Sequence, residues 1–415
     1  MVFQLSSGIS PAGAGSRQMK EDEQRPTMRK KWSTKLIHSD AKVPEGFRSL
    51  STPVYRGSTV LFPSAAAVRD EWDQYEIGYA YGLYGTPTVL ELAARICELE
   101  NGYRTLLMPG GQCAISFINF ALLRAGDHIL VPHSIYAPNR QLANRVLRRF
   151  GVEVTFYDPN LGGGIEALLQ PNTRMVWTES PGSVTMEVQD IPAICEAAHR
   201  AGAWVVLDNT WSAGVLFDAF AHGVDITMQA LTKYVGGHSD LLLGSVTARD
   251  KEMFDRLGSA QQLIGTAVSP DDASLALRGL KTMAVRLRAI GAAALDLAQW
   301  LAKRPEVELV LHPALASCPG HEFWTRDFTG SAGVFSIVFR PEFSKDKVVG
   351  FVDMLELFEI GYSWAGVTSL AVAYDFHGNR NRPDYGHRIV RLNIGLEDVE
   401  DLREDLARAL ERMHT

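Results

Sequence analysis

At 415 residues the chain is too long for one small core, so two or three packed units are expected. Hydrophobic residues make up 46% and charged residues 21%, a globular composition that excludes a wholly disordered chain. A net charge of -7 gives no electrostatic reason to expect DNA or RNA, which call for clustered Lys and Arg.

Residues 1–30 are rich in Ser, Gly, Gln, Lys and Glu and read as a mobile tail ending near Pro26, with order beginning near Trp32. Met1 to Ser10 lacks the basic head and apolar stretch of a signal peptide, and no apolar run is long enough to span a bilayer. Apolar spacing predicts a helix over Thr88 to Glu100 and a strand over Arg104 to Met108. The turn Pro109-Gly110-Gly111 and a helix from Gln112 to Leu123 follow. Strand-like runs recur at His128 to Val131, Val152 to Tyr157, Met175 to Thr178 and Trp204 to Leu207, separated by helix-length segments. That alternation predicts an α/β fold with a mainly parallel sheet covered by helices on both faces. After Gly279 the texture changes to a helix over Leu280 to Lys303, an alternating strand Gly333 to Phe339, another strand near Ile389 to Ile394, and a last helix from Asp398 to Arg412. This predicts a smaller C-terminal α+β domain. The four cysteines (Cys97, Cys113, Cys195, Cys318) are far apart and form no CxxC, which argues against a disulfide framework or zinc site and for a reducing cytoplasm.

Three stretches carry chemistry. Trp204-Val205-Val206-Leu207-Asp208 is a buried strand ending in a carboxylate, at the carboxyl edge where open α/β sheets bind ligands. Asp208 there suits the ring nitrogen of a cofactor, and equally suits a loop or helix N-cap. In Leu231-Thr232-Lys233-Tyr234-Val235-Gly236-Gly237, Lys233 lies between an apolar run and a Gly-Gly turn. A lone lysine in that setting reaches solvent by its stem, but a desolvated one loses its proton and becomes a nucleophile. Asp208 tips the balance to the nucleophile, and the Thr232 hydroxyl suits a phosphate oxygen. Gly110-Gly111-Gln112 opens a helix and leaves backbone N–H groups for an anion, although many such turns are mere connections. No GxGxxG is present and GxxxxGK[ST] does not match, so dinucleotide and P-loop readings are disfavoured.

Taken together, Asp208-Asn209-Thr210, Thr232-Lys233 and His238-Ser239-Asp240 resemble the Cys/Met-metabolism group of fold-type I pyridoxal-phosphate (PLP) enzymes. Within that group the chain is most similar to the cystathionine β-lyase branch. The likeness is carried by Glu179-Ser180-Pro181-Gly182-Ser183-Val184-Thr185-Met186-Glu187, Gly320-His321-Glu322-Phe323-Trp324, Tyr362-Ser363-Trp364 and Arg391-Leu392-Asn393-Ile394-Gly395-Leu396-Glu397-Asp398. It runs from about Thr34 to the C-terminus.

The resemblance implies a PLP-dependent transferase-like fold, here divided into a tail (1–30), an N-terminal arm and inter-subunit segment (31–85), a PLP-binding domain (86–279) and a C-terminal domain (280–415). It implies that Lys233 carries the cofactor as a Schiff base and shuttles protons, with Asp208 at the pyridine nitrogen. Tyr136 would stack on the ring, and Gly111, Gln112 and Thr232 would hold the phosphate. Arg391 would grip the substrate α-carboxylate, beside Ser363 and Trp364. A core tyrosine is the lesser, competing reading of Tyr136, whereas by itself Arg391 reads as a surface arginine. Tyr81 would act in a neighbouring subunit's site, which implies a homotetramer built from site-sharing dimers. Two positions depart from the family pattern. Leu83 stands where relatives have a phosphate-binding arginine, and Ala230 where many have a serine.

The activity implied is α,β-elimination of L-cystathionine, or a related cysteine S-conjugate, to homocysteine, pyruvate and ammonia, as in transsulfuration and methionine biosynthesis. The competing readings are a γ-lyase, a γ-synthase or a relative acting on another amino acid, and a catalytically silent binding protein of the same fold. In each the expected partner is a small amino acid, with no metal, membrane or nucleic acid.

Overall fold

The computed structural model describes residues 49–69, 71–376 and 384–414; the tail assigned to 1–30 and the onset of order near Trp32 lie outside them. The chain divides into two units at Leu50, and the account below concerns the second, 51–415.

Two short-range signals set the first elements. After α1 (Gln74–Ile77), α2 (Pro87–Glu100) begins with a proline that has no N–H to leave unpaired, and it stops at Asn101 in the left-handed conformation. There follow β1 (Arg104–Met108), α3 (Gly111–Leu122), β2 (His128–Pro132), α4 (Ala137–Leu142), β3 (Glu153–Tyr157), β4 (Thr173–Glu179), α5 (Ile191–Arg200), β5 (Trp204–Asp208), β6 (Ile226–Ala230), β7 (Gly244–Ala248) and α6 (Lys251–Ile264). The strands form a seven-stranded sheet in the order β1-β7-β6-β5-β4-β2-β3. β6, β5, β4, β2 and β3 are parallel, and β7 runs against both of its neighbours.

Both faces of this sheet are buried. Ile129, Val131, Met175, Trp177 and Val206 pack with Ile115 and Ile118 of α3 and Phe254 and Leu257 of α6. The alternate residues Leu130, Val176, Val205 and Leu207 pack with Ile191, Ile194 and Ala198 of α5. The near-continuous apolar runs of the central strands have this double coverage as their cause. The ends of β1, β4, β5 and β6 lie on one edge, because Met108 and Ala230 both pair with Gly244, and Glu179 pairs with Asp208.

The long helix α7 (Pro270–Leu301) starts ten residues before the helix read from propensity and runs unbroken across position 280. Its start has clear chemistry: Ser269 caps the N–H of Asp271, Pro270 is the first residue, and Asp271 and Asp272 fall in the first turn. The first half of α7 packs with Leu231, Tyr234 and Val235, and the second half with the C-terminal strands. Beyond it come β8 (Val307–Leu311), α8 (His321–Asp327), β9 (Val334–Phe339), α9 (Lys345–Asp353), β10 (Glu359–Ile360), β11 (Leu370–Phe376), β12 (Gly386–Asn393) and α10 (Val399–Arg412). The strands form a five-stranded sheet in the order β10-β11-β12-β9-β8, where the sequence suggested only two strands. β9 is not half-exposed as alternation implied. Val334 and Val338 face the core shared with Tyr234, while Phe335, Ile337 and Phe339 face α9 and α10. Among the described residues no helix is long and apolar enough to cross a membrane.

Gly279 lets α7 lie directly on the segment after β6, since a Cβ there would meet the carbonyl oxygens of Val235 and Gly236. Alanine ordinarily stabilises a helix interior over glycine by about 0.5–1 kcal/mol. At Gly279 the sign should reverse, with Gly279→Ala destabilising by roughly 1–3 kcal/mol through overpacking. Gly350→Ala in α9, where nothing lies within 4 Å, should show the ordinary gain. Thermal midpoints of the two variants check the pair.

Candidate active site

Lys233 lies three residues beyond the end of β6, on a turn fixed by its own backbone. Its N–H donates to the Ala230 carbonyl at 3.0 Å, and the N–H of Gly237 donates to its carbonyl at 2.7 Å. The turn faces the C-terminal sheet, so the side chain meets residues from far along the chain. The Lys233 ammonium donates to the Ser363 hydroxyl and lies 5.4 Å from the centre of the Trp364 ring. Burial, reinforced by the Arg391 charge and opposed by Asp208, brings its pKa down to about 8.

Arg391 enters from β12, whose alternation puts Val390 and Leu392 into the far core and Arg391 on this side. Its guanidinium donates to the Ser363 carbonyl at 2.9 Å and lies 5.5 Å from the Tyr374 ring. Its Nε is buried without a partner, an unspent donor suited to a carboxylate. The segment it grips is unusual. Ser363 (φ 80°) and Ala365 (φ 68°) both adopt the left-handed conformation, and the Ala365 N–H is pinned to Asn393 Oδ1 at 2.8 Å. Two such residues cost on the order of 1–3 kcal/mol each and persist only where neighbours hold them.

Asp208 closes β5 with its carboxylate buried. Thr210 donates to Oδ1 from its N–H at 3.1 Å and from its hydroxyl at 2.5 Å, and the same hydroxyl accepts from the Ala230 N–H at 3.0 Å. Burial raises the carboxyl above its ordinary value, against the pull of Thr210 and Lys233. Tyr136 sits at the start of α4. Burial, then Asp208 and Glu179, push its phenol upward, so it stays neutral.

On the other side of Ala230, Gly111 opens α3, and a Cβ on it would come within 2.7 Å of the Ala230 Cβ. Gly110, the N-cap, offers no side-chain bond to the first N–H groups, and Gln112 Oε1 is buried without a partner. A helix start of that kind suits a phosphate. The Thr232 hydroxyl is engaged instead, donating to the Leu243 carbonyl at 3.2 Å and accepting from its N–H at 3.0 Å. A buried carboxylate for a ring nitrogen, an amine near neutrality and a glycine-lined helix start are the donor set that PLP needs, and the residues fit it.

Contacts, burial and charge coupling thus join Lys233, Asp208, Tyr136, Arg391, Ser363 and Trp364, with Gly111 beside Ala230. Within one chain no contact joins Tyr81 to them. It is 47% exposed, bridges Thr59 and meets Tyr84 edge-on at 6.2 Å. Leu83 sits in the turn Gly82–Tyr84 next to it. Sequence reasoning assigned no role to Thr210, Tyr374 or Glu179. Thr210 was visible as a hydroxyl two residues after a carboxylate, a spacing that bonds locally. Tyr374 had no such signal, because its neighbour Arg391 is set by strand pairing.

The family described as Cys/Met metabolism PLP-dependent enzyme matches residues 33–411. A Rhizobium johnstonii chain provisionally named cystathionine beta-lyase is 45% identical over 91% of this chain and 95% of its own length. The cystathionine beta-lyase of Escherichia coli is 39% identical over 91% of this chain and 97% of its own. Among solved structures, a cystathionine gamma synthase from Xanthomonas oryzae superposes with a TM-score of 0.81 at 30% identity, covering 88% of this chain and 94% of that one.

The depressed pKa of Lys233 predicts how the cofactor-free protein captures PLP. Only the free amine is nucleophilic, so the capture rate should rise with pH and level off above about 8. An unperturbed lysine would keep gaining rate toward 10.5. Stopped-flow absorbance across that range distinguishes the two.

Proposed function

This chain belongs to the Cys/Met-metabolism family of PLP-dependent enzymes, and we propose that within it the protein is a carbon–sulfur lyase releasing homocysteine, pyruvate and ammonia from L-cystathionine or a related cysteine S-conjugate. The observation that carries this reading is the Lys233 amine, held near neutrality between a buried carboxylate, Asp208, and an arginine with an unspent donor, Arg391. Relatives bearing the β-lyase name at 45% and 39% identity support the choice of bond.

Lys233 would anchor the cofactor, Asp208 would face the ring nitrogen, Tyr136 would cover the ring, and the start of α3 with Gln112 would take the phosphate, joined by Thr232 once its hydroxyl leaves the Leu243 carbonyl. When bound, PLP supplies an electron sink for the pair left behind as the α-proton departs. The remaining work belongs to the chain. Arg391 fixes the α-carboxylate by a paired contact, which aims the Cα–H bond. Lys233 Nζ would accept that proton, the more readily for its lowered pKa. Trp364 and Tyr374 wall the pocket and restrict water. The neutral Tyr136 phenol keeps its proton available beside Asp208.

Tyr81 is exposed, and among the described residues no hydrogen bond or ring contact ties it to its own chain's site, which supports a homo-oligomer in which it serves a neighbour; a tetramer of site-sharing dimers is our reading. Leu83 beside it cannot give a phosphate the charge-assisted bond of an arginine. The four cysteines are free, in accord with a cytoplasmic protein. The two sheets support a division into PLP-binding (86–279) and C-terminal (280–415) domains.

Supplied with PLP and L-cystathionine, the protein should yield pyruvate and homocysteine. Release of 2-oxobutyrate and cysteine would make it a γ-lyase instead. Lys233→Ala should lose roughly 10²–10⁴-fold in turnover from the missing proton acceptor alone. Retained turnover in that variant would remove Lys233 from the reaction. Leu83→Arg should tighten PLP binding by about tenfold, the worth of one charge-assisted hydrogen bond; fluorescence titration measures it.

A further inference from the structure

Glu179 ends β4 and pairs in register with Asp208 at the end of the adjacent parallel strand β5. Registered residues of parallel neighbours project to the same face, so two buried carboxyls stand side by side at the edge that carries the site. Their surroundings differ. Asp208 receives both donors of Thr210 and is drawn on by the Lys233 ammonium. Glu179 has no cation. Its Oε2 accepts the Tyr136 N–H at 2.6 Å, and its Oε1 lies 2.6 Å from the Ser183 hydroxyl. Its own N–H is held by Gln189 Oε1 at 3.0 Å.

We infer that Glu179 is a positioning residue that carries a proton on Oε1, donates it to the Ser183 hydroxyl, and in that neutral form clamps Tyr136 while leaving the charge of the pair on Asp208. The inference rests on the reading that Asp208 and Tyr136 face the cofactor. Two adjacent buried carboxylates do not both ionise readily, and the proton goes to the member without a cation. Hydrogen-bond roles agree, because Oε2 meets a donor that must donate and Oε1 meets a hydroxyl that can accept. Burial and then the neighbouring Asp208 push the Glu179 carboxyl well above the carboxylate range, outweighing the downward pull of its hydrogen bonds with Ser183 and Tyr136.

The clamp has a visible consequence. Tyr136 is the N-cap of α4 and makes no side-chain cap bond of its own, so the Glu179 contact fixes its backbone. The Ser183 N–H donates to the Ser134 carbonyl at 2.8 Å, closing a ring through Glu179, Ser183, Ser134 and Tyr136. The other titratable groups around this ring are Asp208 on β5, Lys233 after β6, Tyr374 on β11, Arg391 on β12 and Glu187, whose Oε2 accepts from Thr185 at 2.5 Å.

The test uses the holoenzyme and reads no turnover, so an error in the proposed substrate leaves it intact. Infrared spectra should show a protonated-carboxyl band that is lost in Glu179→Gln. A third buried carboxyl raised by burial besides Glu179 and Asp208, Glu100, is assigned separately by Glu100→Gln. Glu179→Gln should bind PLP within about twofold of the parent, whereas Glu179→Ala, which strips the Tyr136 N–H of its acceptor, should weaken binding roughly tenfold or more. Ser183→Ala keeps both carboxyls and should shift the band toward that of a carboxyl without an acceptor, which decides the matter if Glu179→Gln does not fold. A band that survives Glu179→Gln, or ignores Ser183→Ala, would overturn the proposal. So would a Gln variant as weak as the Ala variant. Unchanged PLP affinity in Asp208→Ala would instead overturn the reading of the site on which it rests.

Discussion

An amine is held near neutrality in a protein only where water is kept away and no strong counter-charge compensates its burial. At Lys233 this condition requires two sheets at once. The turn bearing the lysine hangs from β6, and the side chains that enclose it, Ser363, Trp364 and Arg391, come from the C-terminal half of the chain. Much of the surrounding architecture keeps these parts in contact. The Gly333 N–H donates to the Tyr234 hydroxyl at 2.8 Å, and Trp211 Nε1 donates to the Val334 carbonyl at 3.2 Å. Tyr234 and Trp211 follow Lys233 and Asp208 by one and three residues, so each anchor fixes the backbone beside a group that does chemistry.

Charge is distributed around the amine with the same economy. Asp208 pulls Lys233 back toward its ordinary basicity, but is outweighed by burial. Arg391 offsets it from the opposite side, and Thr210 takes up part of the carboxylate's demand for donors. Arg391 is itself held by its bond to the Ser363 carbonyl and lies against the Tyr374 ring. The result is a site with one amine, one anion and one spare guanidinium donor, an arrangement that a change in any of the three would unbalance.

Parts of the fold and site formed within a short stretch of chain were legible in the sequence. The strand ending in Asp208, the helix opened by Gly111 and the apolar run before Lys233 all show themselves through local pattern. What escaped depends on partners far along the chain. β7 is Gly-Ser-Val-Thr-Ala, too small and polar to read as a strand, yet it is buried throughout because it is wedged between β1 and β6. β11, Leu370–Phe376, is an exception: it alternates Leu, Val, Tyr and Phe with Ala, Ala and Asp, a local strand pattern that was passed over. The start of α7 was readable from Ser269-Pro270-Asp271-Asp272, and propensity alone placed it too late. Ser363 was found through family likeness, but its contact with Lys233 spans 130 residues and leaves no trace in spacing.

That span also bears on when the protein becomes reactive during its synthesis. The residues that depress the lysine are made last, with Arg391 on the final strand of the chain. Until β12 pairs with β9 and β11, Lys233 lacks the Arg391 charge that reinforces its lowered basicity. Long-range pairing of this kind forms late. The chain thus completes the surroundings of its lysine only with its last strand.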